Sequence, residues 1–182
     1  MEIWHAVVLS GGSARRLGGA DKGALAYSGT TLLEHALDSV AGASRVVVVG
    51  PTVATERTVQ FAREDPPGGG PVAGLLAGAA ALDEPAAEIV VLAVDLPHVD
   101  AGTVARLRAV RGAHEAAYLV DEAGRRQVAG VHAPGSLSGF GDAHGRSLRA
   151  FLRDLDVVDA PALGRENDDV DTWSDVEHLR GT

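Results

Sequence analysis

The sequence predicts an α/β fold of three layers, a mostly parallel central sheet covered by helices on both faces. Three observations lead there. Short apolar runs alternate along the chain with segments whose apolar residues recur at helical spacing. Several of the runs end in glycine or aspartate. The 182 residues are 46% hydrophobic but only 4% aromatic, so the core has to be built mainly from Val, Leu and Ala. That mix suits a buried sheet flanked by helices. The length fits a single domain over residues 1–182.

The elements follow in order. Ile3 to Leu9 reads as a buried first strand that ends in Ser10-Gly11-Gly12. Its lack of a basic leader and of a cleavage-site pattern argues against a signal peptide. Thr30 to Val40 carries Leu33, Ala36, Leu37 and Val40 at helical spacing. Arg45 to Gly50 is a valine run too short for a helix, hence a central strand. Val59 to Glu64 is a weaker strand, and Pro71 to Leu82 is an Ala/Leu helix with Pro at its start. Ile89 to Val94 is the clearest strand and ends in Asp95; Ala101 to Val110 is an amphipathic helix. Ala116 to Val120 and Arg125 to His132 read as strand, turn, strand. Ser147 to Leu155 is a helix, and Thr172 with Asp175 forms a capping-box-like start to a last one.

Strand–helix alternation implies crossover connections, and ligands in such sheets bind beyond the carboxyl ends of the strands. Gly11-Gly12, Asp65 and Asp95 all fall at such ends, so they are expected to converge on one crevice.

Composition excludes several function classes. A net charge of -9 argues against a general nucleic-acid binder, although local Lys and Arg residues can still make a pocket for a small anion. With no cysteine there is no disulfide, thiolate metal site or Cys nucleophile. No apolar stretch reaches the roughly 20 residues of a membrane span, and a cytoplasmic protein is expected. The histidines show no metal spacing. His132 is expected to be structural, and His98 to be a loop residue, either solvated or near the ligand.

The segment Leu9 to Lys22, LSGGSARRLGGADK, carries the chemistry. Its glycines let backbone N–H groups approach phosphate oxygens, and Arg15, Arg16 and Lys22 add positive charge. It matches neither the Walker loop nor the dinucleotide fingerprint. A flexible connection with solvated charges is the competing reading. Asp95, at a strand end, is either a metal-binding carboxylate or a cap for the following turn. Gly68-Gly69-Gly70 before Pro71 either brings backbone close to a ligand at a helix N-terminus or forms a surface turn.

The motif Leu9-Ser10-Gly11-Gly12, Arg16-Leu17-Gly18, Asp21-Lys22 resembles the start of the molybdenum cofactor guanylyltransferase family of nucleotidyltransferases. Later segments agree in order: Glu64-Asp65, then Gly70-Pro71-Val72-Ala73-Gly74-Leu75, Val94-Asp95-Leu96-Pro97 and Asp169-Val170-Asp171-Thr172. The resemblance implies a Rossmann-like nucleotidyltransferase fold and an enzyme that moves GMP from GTP to the terminal phosphate of molybdopterin with Mg²⁺ as cofactor. It implies that backbone groups of Leu9, Ser10 and Gly11 contact the base and ribose of the nucleotide and that Gly12, Arg16 and Lys22 line the triphosphate. Asp65 would position the guanosine and Asp95 would bind the metal, with Asp169 or Asp171 as a candidate second carboxylate. Lys22 and Asp95 count as both nucleotide-binding and catalytic, and Arg16 as catalytic. GTP and molybdopterin are the implied partners, along with a transient pterin-delivery protein.

The sequence departs from that family at Val128-Ala129, where Pro-Leu is usual, beside Arg125, Arg126 and Gln127 on the expected acceptor side. Trp173 likewise replaces a usual Pro. The alternatives are a cytidylyltransferase acting on the same pterin, a transferase with a sugar phosphate or other small phosphate as acceptor, and a non-catalytic nucleotide-binding protein.

Overall fold

Seven strands of the computed structural model form one sheet in the order β5-β4-β1-β6-β8-β7-β9. The structure describes residues 3–11, 21–138, 143–172 and 174–175. The strands are β1 (Trp4–Leu9), β4 (Arg45–Val49), β5 (Gln60–Ala62), β6 (Glu88–Ala93), β7 (Ala116–Val120), β8 (Arg126–His132) and β9 (Val157–Pro161). A two-stranded hairpin, β2 (Ala26–Tyr27) with β3 (Thr30–Thr31), lies apart from the sheet. The helices are α1 (Leu32–Ser39), α2 (Gly70–Ala80), α3 (Ala101–Arg111) and α4 (Leu148–Phe151). In the main sheet β8 alone runs against its neighbours. The three-layer, mostly parallel arrangement expected from the sequence is therefore present.

β1 shows how the sheet is covered on both faces. Its residues are all buried, so hydrophobicity does not alternate. Side-chain direction does. Trp4, Ala6 and Val8 join the core under α1 and α3, while Val7 and Leu9 join the core under α2 and α4. α2 sits close because Gly74 and Gly78, one turn apart, face the sheet. A Cβ at Gly78 would lie 2.4 Å from Val7 Cγ1, and one at Gly74 would lie 3.2 Å from Leu9 Cδ2.

Caps fix the helix starts. Thr31 Oγ1 accepts the Glu34 N–H at 3.2 Å. Asp100 and Thr103 form a reciprocal capping box on α3. The expected Thr172–Asp175 box is present, with Asp175 Oδ2 accepting the Thr172 N–H at 2.6 Å and Thr172 Oγ1 accepting the Asp175 N–H at 3.3 Å.

Three details differ from the sequence reading. The helix expected over Ser147 to Leu155 is one α-turn, α4, followed by a 3-10 turn at Leu152–Asp154. β9 has no alternating or long apolar pattern of its own. It becomes a strand because β7 offers it a parallel edge from Ala116↔Val157 to Val120↔Pro161. His98 is a loop residue, but its Nε2 is buried, and its ring packs edge-on to Tyr27 at 6.0 Å. Burial lowers its pKa.

His132 is structural, as expected. The ring lies between Tyr118 and Ser136, fully buried. Ser136 Oγ donates to the Ala133 carbonyl at 2.8 Å, which leaves it to accept from His132 Nδ1 at 2.9 Å. His132 Nε2 then accepts from the Tyr118 hydroxyl at 2.7 Å. Each group donates once along this chain, so the neutral imidazole satisfies every partner. A second ring proton would turn the Tyr118 contact donor-against-donor.

Burial holds His132 at about 3 rather than 6.5. The unfolded chain therefore takes up a proton below pH 6.5 that the folded chain refuses. Stability falls as pH drops from 6.5 toward 3, by up to about 1.4 kcal/mol per pH unit. Urea titrations at intervals across that range are expected to show a shallower acid-side loss for His132→Asn than for the wild type. Equal slopes would exclude this assignment.

Candidate functional site

The crevice forms where the chain leaves β1 in one direction for β4 and returns on the other side as β6. Such a switch point splays the connections apart and leaves an opening beyond the strand ends. The opening here has a volume of about 720 Å³, within the usual range for a small-molecule site. Sheet hydrogen bonding continues into its floor: Ser10 N–H donates to the Val49 carbonyl at 2.9 Å, and Val94 N–H to the Leu9 carbonyl at 3.1 Å. Leu9, Ser10 and Gly11 are thus held beside Val94 and Asp95, and all five line the crevice.

Glycine makes the near wall possible. A Cβ at Gly23 would sit 2.3 Å from Ser10 Oγ, so glycine lets the following turn pack against Ser10 without displacing its hydroxyl. That turn is a single 3-10 turn, Lys22–Ala24, capped by Asp21 Oδ1, which accepts the Gly23 N–H at 3.0 Å. It presents the Lys22 side chain to the crevice. Nζ lies 2.5 Å from Asp171 Oδ1 and 3.3 Å from Asp95 Oδ2. Burial of Lys22 disfavours its charge, but the hydrogen bonds and charges of Asp171 and Asp95 outweigh this and raise its pKa. Asp169 feels the Lys22 charge only weakly. Desolvation, then the charges of Asp171 and Asp95, raise its carboxyl pKa above the ordinary value.

The carboxylates at 169 and 171 arrive on a segment tied down at two points. Val170 is buried in the core, and its N–H donates to the Asp95 carbonyl at 2.9 Å. Burying a valine contributes about 1.5–3 kcal/mol, enough to hold a short stretch in place. Further back, Glu166 accepts from Thr103 Oγ1 at 2.6 Å, from the Leu163 N–H at 2.7 Å and from Arg106 of α3. Burial works to raise the Glu166 carboxyl, and these three donors overcome it and hold the pKa low.

The far wall comes from the end of β5 and the start of α2: Arg63, Glu64, Pro67, Gly68, Gly70 and Pro71. Of the glycine run, Gly68 and Gly70 line the crevice, both with positive φ. Asp65 is not among the lining residues. It faces a neighbouring cavity of about 660 Å³ together with Ala73 and Leu76, while Glu64 borders both spaces. Gly12 and Arg16 lie outside the described residues, as do Arg15, Gly18 and Trp173. On the acceptor side, Val128 lines the crevice, whereas Arg126 pairs with Asp159 at 2.7 Å and Arg125 with Asp121 at 2.9 Å.

Residues 6–160 match the model of the MobA-like NTP transferase domain. The chain belongs to this family. Among curated relatives of this transferase domain, the molybdenum cofactor guanylyltransferase of Acidiphilium cryptum (strain JF-5) is 38% identical over 114 residues, 58% of this chain and 57% of that protein. The match thus spans little more than half the relative's length. Of solved structures, molybdopterin-guanine dinucleotide biosynthesis protein A from Archaeoglobus fulgidus superposes with a TM-score of 0.75 at 20% identity, covering 97% of each chain. Rv0371C of Mycobacterium tuberculosis H37Rv, solved in complex with manganese, gives 0.72 at 23% identity, covering 100% of this chain and 99% of that one. At these identities the structures show a shared fold.

Two features of this transferase domain escaped the sequence reading. Gly50 and Pro51 line the crevice beside Gly11; Gly50 ends a valine strand just as Gly11-Gly12 follows β1, so the strand-end rule applied to Asp95 would have found it. Glu166 gave no signal, because its partners on α3 lie about 60 residues away.

The Glu166 anchor makes a measurable difference to segment 162–172. Glu166→Ala is expected to lower global stability by about 1–3 kcal/mol and to speed hydrogen exchange of the Val170 N–H more than that of amides in β1 and β6. Uniform acceleration across the protein would show that Glu166 does not hold this segment in particular.

Proposed function

We propose that this chain transfers GMP from GTP to the terminal phosphate of molybdopterin and releases pyrophosphate. The observation that carries the reading is the placement of Lys22, Asp95 and Asp171 against a glycine-walled crevice at the switch point of a MobA-like domain. The names of the relatives supply the nucleotide and the acceptor.

The backbone at Leu9–Gly11 holds the base and ribose, and the glycines at 68 and 70 admit the ligand between the walls. An oxygen of the acceptor phosphate attacks the α-phosphorus in line, and the bond to the β-phosphate oxygen breaks. The acceptor is already anionic at neutral pH, so the step needs no protein base. Charge gathers on the leaving pyrophosphate, and the Lys22 ammonium offsets it. Arg16 and Gly12 are assigned to the same phosphates.

The donor set suits Mg²⁺. The carboxylates of Asp95 and Asp171 already share one cation, the Lys22 ammonium, and Asp169 is close enough for both charges to raise its pKa. Among the described residues no three His, Asp or Glu side chains form a closed metal cage. That fits an ion which takes one or two carboxylates and fills its remaining positions with phosphate and water. Asp95 with Asp171 would hold it, and bound there it would neutralise phosphate charge. The manganese complex of Rv0371C supports a divalent ion in this fold. Among the described residues no helix is long and apolar enough to cross a membrane; it is the transferase reading that places the reaction in the cytoplasm, with a transient protein delivering the pterin.

The test is pyrophosphate release from GTP, CTP or ATP with Mg²⁺ and molybdopterin. GTP is expected to be the preferred triphosphate. Asp95→Asn and Lys22→Ala are each expected to lower kcat by about 10²-fold or more with the circular dichroism spectrum unchanged. Preference for CTP, or wild-type turnover by either variant, would refute the corresponding assignment.

A further inference from the structure

We propose that Lys22 is the resident counter-ion of the Asp95–Asp171 pair, that it competes with the divalent ion for these carboxylates, and that nucleotide binding relieves the competition by drawing the ammonium onto the triphosphate. The inference rests on the transferase reading for where the ammonium goes, but not for the competition itself.

The geometry sets the two cations in competition. Lys22 Nζ is 2.5 Å from one carboxylate oxygen and 3.3 Å from the other. A divalent ion bonds carboxylate oxygen at about 2.0–2.6 Å, so an ion bonded to these two oxygens competes with Nζ for them. A second cation alongside would repel the ammonium at short range in a partly desolvated site; the Lys22 side chain is only 17% exposed.

Only the side chain has room to change. The backbone of Lys22 is fixed by the Asp21 cap, and Gly23 is packed beneath Ser10. Asp95 ends a central strand, and Asp171 follows Val170, which is buried and bonded to the Asp95 carbonyl. The four-carbon stem of Lys22, by contrast, carries a flexible point charge that can turn from one anion to another. The crevice is lined by Lys22, by Asp95 and by the glycines at 11, 50, 68 and 70, so the swing from the carboxylates toward phosphate is short.

Two consequences follow. Without nucleotide the site holds its carboxylates together with an internal cation and binds metal weakly. With nucleotide the ammonium has a new anionic partner, and the carboxylates become free for the metal. Metal and triphosphate then bind cooperatively through Lys22, in addition to their direct contact.

Mn²⁺ titration followed by electron paramagnetic resonance tests this on the full chain. Without nucleotide, Lys22→Met is expected to bind Mn²⁺ about tenfold or more tightly than the wild type, and Lys22→Arg no more tightly than the wild type. Adding GTP is expected to raise Mn²⁺ affinity more in the wild type than in Lys22→Met. Equal or weaker Mn²⁺ binding by Lys22→Met overturns the proposal, and so does an equal GTP effect. If Lys22→Met does not fold, acetylation of the wild type read by mass spectrometry replaces it. Saturating Mn²⁺ should increase acetylation at Lys22, and unchanged or reduced labelling overturns the proposal. Neither readout uses turnover. Failure of nucleotidyl transfer with the competition intact would therefore reject the transferase reading alone, and the converse would reject only the competition.

Discussion

The contact of one ammonium with two carboxylates draws together three distant parts of the chain. Lys22 lies 73 residues from Asp95 and 149 from Asp171. Each reaches this contact for a separate reason: a capped turn against Ser10, the end of a buried strand, and a segment pinned by Val170. None of these placements depends on the ion pair, yet the pair makes them compatible. Without a cation, the carboxylates at 95, 169 and 171 would repel one another; desolvation first, and then the charges of Asp171 and Asp95, already raise the pKa of Asp169.

The sheet supplies the rigidity this arrangement needs. β1 is paired on both sides and buried on both faces, so the backbone at Leu9–Gly11 has little freedom. α2 lies close to it because two glycines meet Val7 and Leu9. The close fit of that helix brings its N-terminal glycines to the crevice wall. Catalytic groups held by a framework of this kind need little reorganisation before reaction.

Much of this was legible in the sequence, and the boundary of legibility has physical causes. β-Branched runs and helical spacing are local signals, and they place β1, β4, β6, α1, α2 and α3 within a few residues. The strand-end rule brings Gly11 and Asp95 together without coordinates, because a parallel sheet aligns its carboxyl ends. β9 could not be read, since its strand character comes from the edge of β7 and not from its own residues. Asp65 differs for a related reason: sequence shows that it follows a strand, but not that the segment 63–68 turns Glu64 toward the crevice and Asp65 toward the adjoining cavity. Asp169 and Asp171 likewise differ in side-chain direction, which the sequence does not show; of the two, Asp171 contacts Lys22.

The late position of Asp171 in the chain bears on how the protein comes into being during synthesis. Every strand of the sheet, and both Lys22 and Asp95, are translated before residue 171 leaves the ribosome. The nascent chain can therefore build the sheet and its crevice while Lys22 has only one of its two carboxylate partners. Completion waits for Val170 to dock and for Glu166 to find α3. A chain cut within residues 162–170 would keep every strand of the sheet and lose Asp171, the second carboxylate partner of Lys22.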